Sequence, residues 1–191
     1  MTDQLPKSVG DVSRAGMLGF QIGPDRWEPL FLDDSAWSKF RLILSSWLGT
    51  PYRHCTMVKG RGADCTLFIG ACWVEYGILT EVTWDYYSKD WHLNTHEEKV
   101  LDGLYDHFTR HSQPGYAILR LDKDAELIRG DVIAFALTPT GVSNHASVFL
   151  GPTDHGELML HAVHSKGVSV FPVAGFFERH KSNVFRIMRR A

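Results

Sequence analysis

Hydrophobic positions recur every three to four residues through the first half of the chain and alternate in the second half. Trp37, Phe40, Ile43, Leu44 and Trp47 fall on one helical face, which predicts a helix capped by Asp34 or Ser35 and running to about Leu48. Gly49 and Pro51 stop it. A loop, Thr50 to Ala63, leads to a second helix over Cys65 to Tyr76, with Asp64 as its cap and Gly77 as its end. Leu67, Phe68, Ile69, Ala71, Cys72, Trp73 and Val74 make that helix apolar nearly all round, so it belongs at the centre of the domain. A third helix is expected from about Thr95 to Thr109, with Thr95 and Glu98 as a capping box, and Gln113-Pro114-Gly115 breaks it. From Gly130 the period becomes two. Short strands are expected at Val132–Leu137, His145–Leu150, Glu157–Val163, Val168–Val170 and Val184–Met188. Helices first and consecutive strands afterwards predict an α+β domain with an antiparallel sheet.

The first ~30 residues carry Gly10, Gly16, Gly19, Gly23, Pro24 and Pro29 and read as an irregular segment. Met17, Leu18, Phe20, Ile22 and Trp27 give that segment something to bury, and flexible disorder is the competing reading. The organisation is then 1–34 as an irregular N-terminal segment packing on the domain and 35–191 as the main domain. Leu79 to Trp91 is aromatic and acidic. Its Trp84 to Trp91 cluster lines a cleft for a glycan or peptide, or simply packs the insert.

Composition narrows the chemistry. The 191 residues carry a formal net charge of -2, with 44% hydrophobic and 22% charged residues, so no basic excess is available for a nucleic-acid backbone. Arg186, Arg189 and Arg190 read as a solvated strand edge. No apolar leader precedes Gly16, and the apolar stretch Leu67 to Leu79 is interrupted by Glu75, so neither a signal peptide nor a membrane span is expected. Cytoplasmic synthesis follows, with a non-standard route if the protein acts outside. Three cysteines, Cys55, Cys65 and Cys72, and no CxxC pair argue against a disulfide framework and a thiolate zinc site. His92/His96 and His107/His111 have helical ligand spacing but no third ligand, and read as surface histidines.

A cysteine at a helix start is the candidate nucleophile, because backbone N–H groups and the helix dipole favour its thiolate. Cys65 occupies that place. Cys72, in mid-helix, does not, and Cys55 is reactive only through exposure. A base must come from elsewhere. His145 opens a predicted strand and His161 sits on the next one, where adjacent antiparallel strands bring two side chains within roughly 5 Å. His161 can then orient His145. Taken alone, either histidine is more often a structural strand residue.

Five ordered segments make the pattern specific: Leu48-Gly-Thr-Pro-Tyr-Arg-His54, Gly62-Ala-Asp-Cys65, Gly130-Asp-Val-Ile-Ala-Phe135, His145-Ala-Ser-Val-Phe-Leu-Gly151 and Leu160-His-Ala162. From about Trp37 to Arg186 the chain resembles the NlpC/P60 family. The resemblance implies a papain-like fold and cleavage of amide bonds in bacterial cell-wall peptides, without a cofactor or metal. It implies Cys65 as nucleophile, His145 as general base, His161 as the orienting residue, and Tyr52 as an oxyanion donor beside the Cys65 N–H. Asp64 matches the acidic residue that helps hold the substrate amine in relatives, and is equally a helix cap. Thr66-Leu67 stand where the family places Ser-Gly, and Ala-Ser-Val stands for Val-Gly-Ile; Thr66 keeps a hydroxyl at the substrate side. The Tyr-Arg-His form, with Lys59-Gly60 and a long insert before Gly130, is most similar to the branch found in phage tails and gene-transfer particles, which implies tail proteins as partners. A secreted toxin with an immunity protein fits as well. Acyl transfer by the same triad and an inactive tail structural or binding protein are the alternatives. No nucleic-acid or membrane partner is implied.

Overall fold

The computed structural model describes residues 20–22, 25–154 and 156–191. Expectations that fall on residues 1–19, 23 and 24 lie outside them, as do the side chains of Phe20 and Ile22. The elements in chain order are β1 (Phe20–Ile22), β2 (Asp25–Pro29), α1 (Asp34–Ser46), β3 (Met57–Val58), β4 (Gly62–Ala63), α2 (Leu67–Tyr76), α3 (Lys99–His111), β5 (Tyr116–Asp122), β6 (Val132–Phe135), β7 (His145–Thr153), β8 (Gly156–Val163), β9 (Gly167–Pro172), α4 (Phe176–Arg179) and β10 (Lys181–Arg190). Among the described residues the main sheet has eight strands in the order β1-β2-β10-β6-β7-β8-β9, with β5 also on β10. Every pairing in it is antiparallel. The α+β architecture is therefore the one expected, with helices packed on an antiparallel sheet.

The helix boundaries follow capping chemistry. Asp33, one residue ahead of the expected caps, caps α1: its Oδ1 accepts the Ala36 N–H at 2.8 Å. The α2 helix begins at Leu67, two residues later than expected, and ends on Gly77, whose φ of 96° is the left-handed C-terminal stop. The expected capping box at Thr95 does not form. Thr95 Oγ1 accepts only the Glu97 N–H, and the Glu98 carboxylate goes instead to the Ser143 N–H at 2.9 Å. That long-range bond delays α3 to Lys99 and ties it to the loop before β7.

Strand β5 was not expected. It has buried residues on both faces, with only Arg120 and Asp122 exposed, so it lacks a clear alternation. It pairs along β10 from Asn183↔Asp122 to Arg189↔Tyr116, while the opposite edge of β10 takes β6 and then β2. Within the stretch read as irregular, β1 and β2 form a hairpin that extends the sheet, and Trp27 is buried there.

Two buried layers sandwich the sheet. On one face Ala146 and Val148 of β7, with Leu160 and Ala162 of β8, pack with Phe40, Phe68 and Trp73 of the helices. On the other, Phe149 and Met159 pack with Ile133, Phe135 and Val173, flanked by Phe171 and Phe177. Arg186 is no solvated edge: it is 1% exposed, and its guanidinium donates to both Asp131 oxygens at 2.9 and 2.7 Å and to the Glu126 carbonyl at 2.8 Å. Arg189 pairs with Glu28 on β2.

Candidate active site

The loop before Cys65 is zipped onto it by backbone bonds. Tyr52 bridges Ala63, the Ala63 N–H reaches the Pro51 carbonyl at 2.9 Å, and the Asp64 N–H reaches the Thr56 carbonyl at 2.8 Å. Gly62 permits this closeness, since a Cβ there would lie 2.7 Å from Arg53 Cδ. Asp64 is wholly buried. Its Oδ1 accepts the N–H groups of Thr66 and Leu67 at 2.9 and 3.2 Å, and so caps α2. Cys65 and Thr66 form the turn between that cap and the helix, with Cys65 only 7% exposed.

The sulfur of Cys65 lies 3.6 Å from Thr66 Oγ1, and the backbone N–H groups of Ala146 and of Cys65 itself point at it. The Ala146 contact brings the helix start to the mouth of β7, beside His145. No hydrogen bond joins Cys65 Sγ to an imidazole among the described residues. Burial pushes the thiol up to about 12, and the neighbouring Asp64 carboxylate adds to the rise. The Thr66 hydroxyl and the two N–H groups oppose it without cancelling it. The helix start therefore does not by itself make a thiolate: the resting sulfur is protonated at neutral pH.

The two histidines are brought together. His145 Nε2 and His161 Nδ1 are 3.0 Å apart, with ring centroids 5.1 Å apart. Strand parity sets both on the face of Phe149 and Met159, opposite α1 and α2. His161 is fully buried against Phe171, ring centroids 4.6 Å apart, and Phe177, 5.2 Å apart; its Nε2 has no hydrogen-bond partner among the described residues. Burial holds His145 down to about 3, with His161 adding to the fall, and burial holds His161 down to about 4. Both rings are neutral at pH 7. One nitrogen of the 3.0 Å contact must carry the proton and the other must accept it.

Tyr52 is close enough to feel the charges of Cys65, Asp64 and Cys55; burial foremost, and then those charges, raise its hydroxyl well above the ordinary range, so it stays a neutral donor. Sequence reasoning missed Tyr87. Its hydroxyl donates to Asp64 Oδ2 at 2.5 Å, and its backbone carbonyl lies 2.8 Å from His54 Nε2. The aromatic run of the insert was the available signal, but no spacing rule connects it to Asp64. Elsewhere in that run Trp84 packs on Gly103, where a Cβ would lie 2.1 Å from the indole, and a cavity of about 390 Å³ opens between Trp84, Tyr86, Tyr87, Lys99 and Arg110. His107 and His111 stack edge to face at 5.5 Å on α3.

No family model and no curated protein matches the chain. Among solved structures it is similar to a lipoprotein-like NLP/P60 family protein of Staphylococcus aureus subsp. aureus Mu50, at 16% identity and a TM-score of 0.51, over 82% of this chain and 43% of that one. It is also similar to the NlpC/p60 domain of the peptidoglycan hydrolase SagA, at 18% identity and a TM-score of 0.46, over 77% of this chain and 95% of that one. The chain thus spans less than half the length of the staphylococcal protein. Its helices, its antiparallel sheet and that likeness give it the fold of the NlpC/P60 domains.

Proposed function

We propose that the chain is a cysteine hydrolase of the NlpC/P60 family that cleaves amide bonds in bacterial cell-wall peptides through a thioester. One arrangement carries the reading: a buried cysteine in the turn that opens a central helix meets the mouth of a strand whose first residue, His145, is paired at 3.0 Å with His161. The names of the two similar structures, a peptidoglycan hydrolase among them, support the substrate class.

The chemistry starts from a neutral pair. His145 Nε2–H donates to His161 Nδ1, which leaves His145 Nδ1 free of its proton and able to accept one. As Sγ attacks the carbonyl carbon, the thiol proton passes to Nδ1, in the manner of a serine hydrolase rather than from a preformed ion pair; this step requires the His145 ring to turn from the Phe149 face, where it rests against Phe135 and His161, toward the sulfur. His161 accepts from the imidazolium and steadies it. The Cys65 N–H and the Tyr52 hydroxyl face the developing oxyanion. His145 then protonates the departing amine, and water, deprotonated by the same ring, resolves the thioester. Asp64 holds the turn through Thr66 and Leu67, and the Thr66 hydroxyl steadies the sulfur.

The same acyl-enzyme also serves a second reading in which an amine rather than water takes the acyl group. A phage-tail or gene-transfer particle is the proposed setting, on the Tyr52-Arg53-His54 form with Lys59-Gly60 and the long insert before Gly130, and a secreted toxin fits the same features. The test is incubation of the whole chain with purified muropeptides and mass spectrometry, with and without an added amine. Cleaved peptides are expected, and none from Cys65→Ala. Turnover surviving in that variant would overturn the mechanism, and amine adducts in place of free acid would select transfer.

A further inference from the structure

Beside Cys65, the cap residue Asp64 also faces two reactive side chains, His54 and Cys55, that the proposed reaction does not use. One imidazole nitrogen of His54, the Cys55 sulfur and an Asp64 carboxylate oxygen all lie within 4.8 Å of one another. Within this cluster, His54 Nε2 is 3.3 Å from Cys55 Sγ, and His54 Nδ1 is 3.7 Å from Asp64 Oδ2. The Tyr87 carbonyl adds an oxygen 2.8 Å from Nε2 and 3.8 Å from Sγ. Neighbouring residues on an extended chain point apart. Here Cys55 has a φ of 51°, unusual for a residue with a side chain, and its sulfur folds back to the ring of His54.

The structure assigns this cluster as a Zn²⁺ site, with Cys55, His54 and Asp64 as protein ligands and the Tyr87 carbonyl or a water as the fourth. Bonds of about 2.0–2.3 Å in a tetrahedron set ligand atoms roughly 3.3–3.8 Å apart; with one His54 nitrogen, the sulfur and the carboxylate oxygen within 4.8 Å of one another, binding draws the three side chains together by up to about 1 Å. The donor set of one sulfur, one nitrogen and one or two oxygens suits Zn²⁺ rather than Mg²⁺ or Ca²⁺, which require oxygen. The His54 side chain is 20% exposed, which provides an entry path. Binding replaces the Cys55 S–H bond with an S–Zn bond and releases one proton to water. The ion then clamps three segments together: the loop after Tyr52, the cap of α2, and the insert through Tyr87. The sequence concealed the site because its ligands are two adjacent residues, a third nine positions later, and a backbone carbonyl.

Co²⁺ titration of the reduced whole chain tests the site independently of turnover. Binding of one equivalent is expected, with tetrahedral visible bands and a thiolate-to-cobalt charge-transfer band in the near ultraviolet, all displaced by one equivalent of Zn²⁺. Cys55→Ser is expected to lose the charge-transfer band, His54→Gln to weaken binding at least tenfold, and Cys65→Ala to keep both band and affinity. Zn²⁺ is expected to raise the melting temperature of wild type and of Cys65→Ala, but not of Cys55→Ser. Circular dichroism of the metal-free variants checks that each is folded. A charge-transfer band that survives in Cys55→Ser and vanishes in Cys65→Ala would place the ion on Cys65 and overturn the proposal, as would the absence of stoichiometric binding in the folded wild type. Neither result bears on whether muropeptides are cleaved.

Discussion

Two neutral imidazoles in one buried contact make stability depend on pH in a way that one substitution can dissect. Burial holds His145 down to about 3 and His161 down to about 4, against 6.5 for the unperturbed side chain. Between pH 6.5 and about 4 the unfolded chain therefore binds two protons that the native pair refuses. Stability rises with pH wherever the unfolded state binds more protons, so this contribution is fully present above about pH 7 and is lost as pH falls through 6.5. One proton changes the unfolding free energy by about 1.4 kcal/mol per pH unit. Going from pH 7 to pH 5 then removes about 2 kcal/mol for each histidine, a large share of the roughly 5–15 kcal/mol that holds an ordinary domain folded. Both residues are less than one-tenth exposed, so solvent screening takes little from these figures. His161→Asn removes one titrating ring while its amide oxygen can still accept from His145. Urea denaturation of wild type and variant across pH 5 to 7, with the m-value as the check on two-state behaviour, gives the two slopes. The variant is expected to start lower and to lose about 2 kcal/mol less over that range. His92 and His107 are also held below the ordinary value by burial, but they titrate equally in both proteins and cancel in the comparison. Parallel curves would refute the neutral pair and show that His161 is protonated, or shares a proton with His145, in the native state.

Asp131→Ala leaves the Arg186 guanidinium buried without its carboxylate and is expected to cost about 3–5 kcal/mol in chemical denaturation; the double variant Asp131→Ala, Arg186→Met should recover part of that loss. Gly167 has a φ of 69°, and a Cβ there would lie 2.2 Å from the Thr50 carbonyl oxygen, so Gly167→Ala is expected to lower the melting temperature and to loosen β9 from the loop that carries Tyr52. Hydrogen exchange at the Val168 amide, bonded to that carbonyl at 2.8 Å, reads the loosening directly.

What could be read from the sequence was what local chemistry decides. The periodicity of Trp37, Phe40 and Leu44 located α1, and the unbroken apolar run around Phe68 placed α2 at the centre, because helical burial repeats along a single segment. Alternation and turn residues located β6 to β10, and the spacing of His145 and His161 on neighbouring strands foretold their contact. Long-range partners stayed hidden. Glu98 reads as half of a capping box until Ser143 takes its carboxylate, Arg186 reads as a surface charge until Asp131 meets it, and Tyr87 reads as one aromatic among several until its hydroxyl reaches Asp64. Each is a polar group whose burial is decided by a residue more than twenty positions away. The protonation of the site follows the same logic. A cysteine at a helix start suggests a thiolate because the helix is local, but the layers that close over Cys65 are not, and their desolvation outweighs the nearby N–H groups. Asp64 pushes in the same direction: the carboxylate that builds the turn around Cys65 also raises the cost of ionising it. A sulfur raised in this way by burial and by Asp64 is stored as a thiol, so in the proposed reaction its proton moves during attack rather than beforehand.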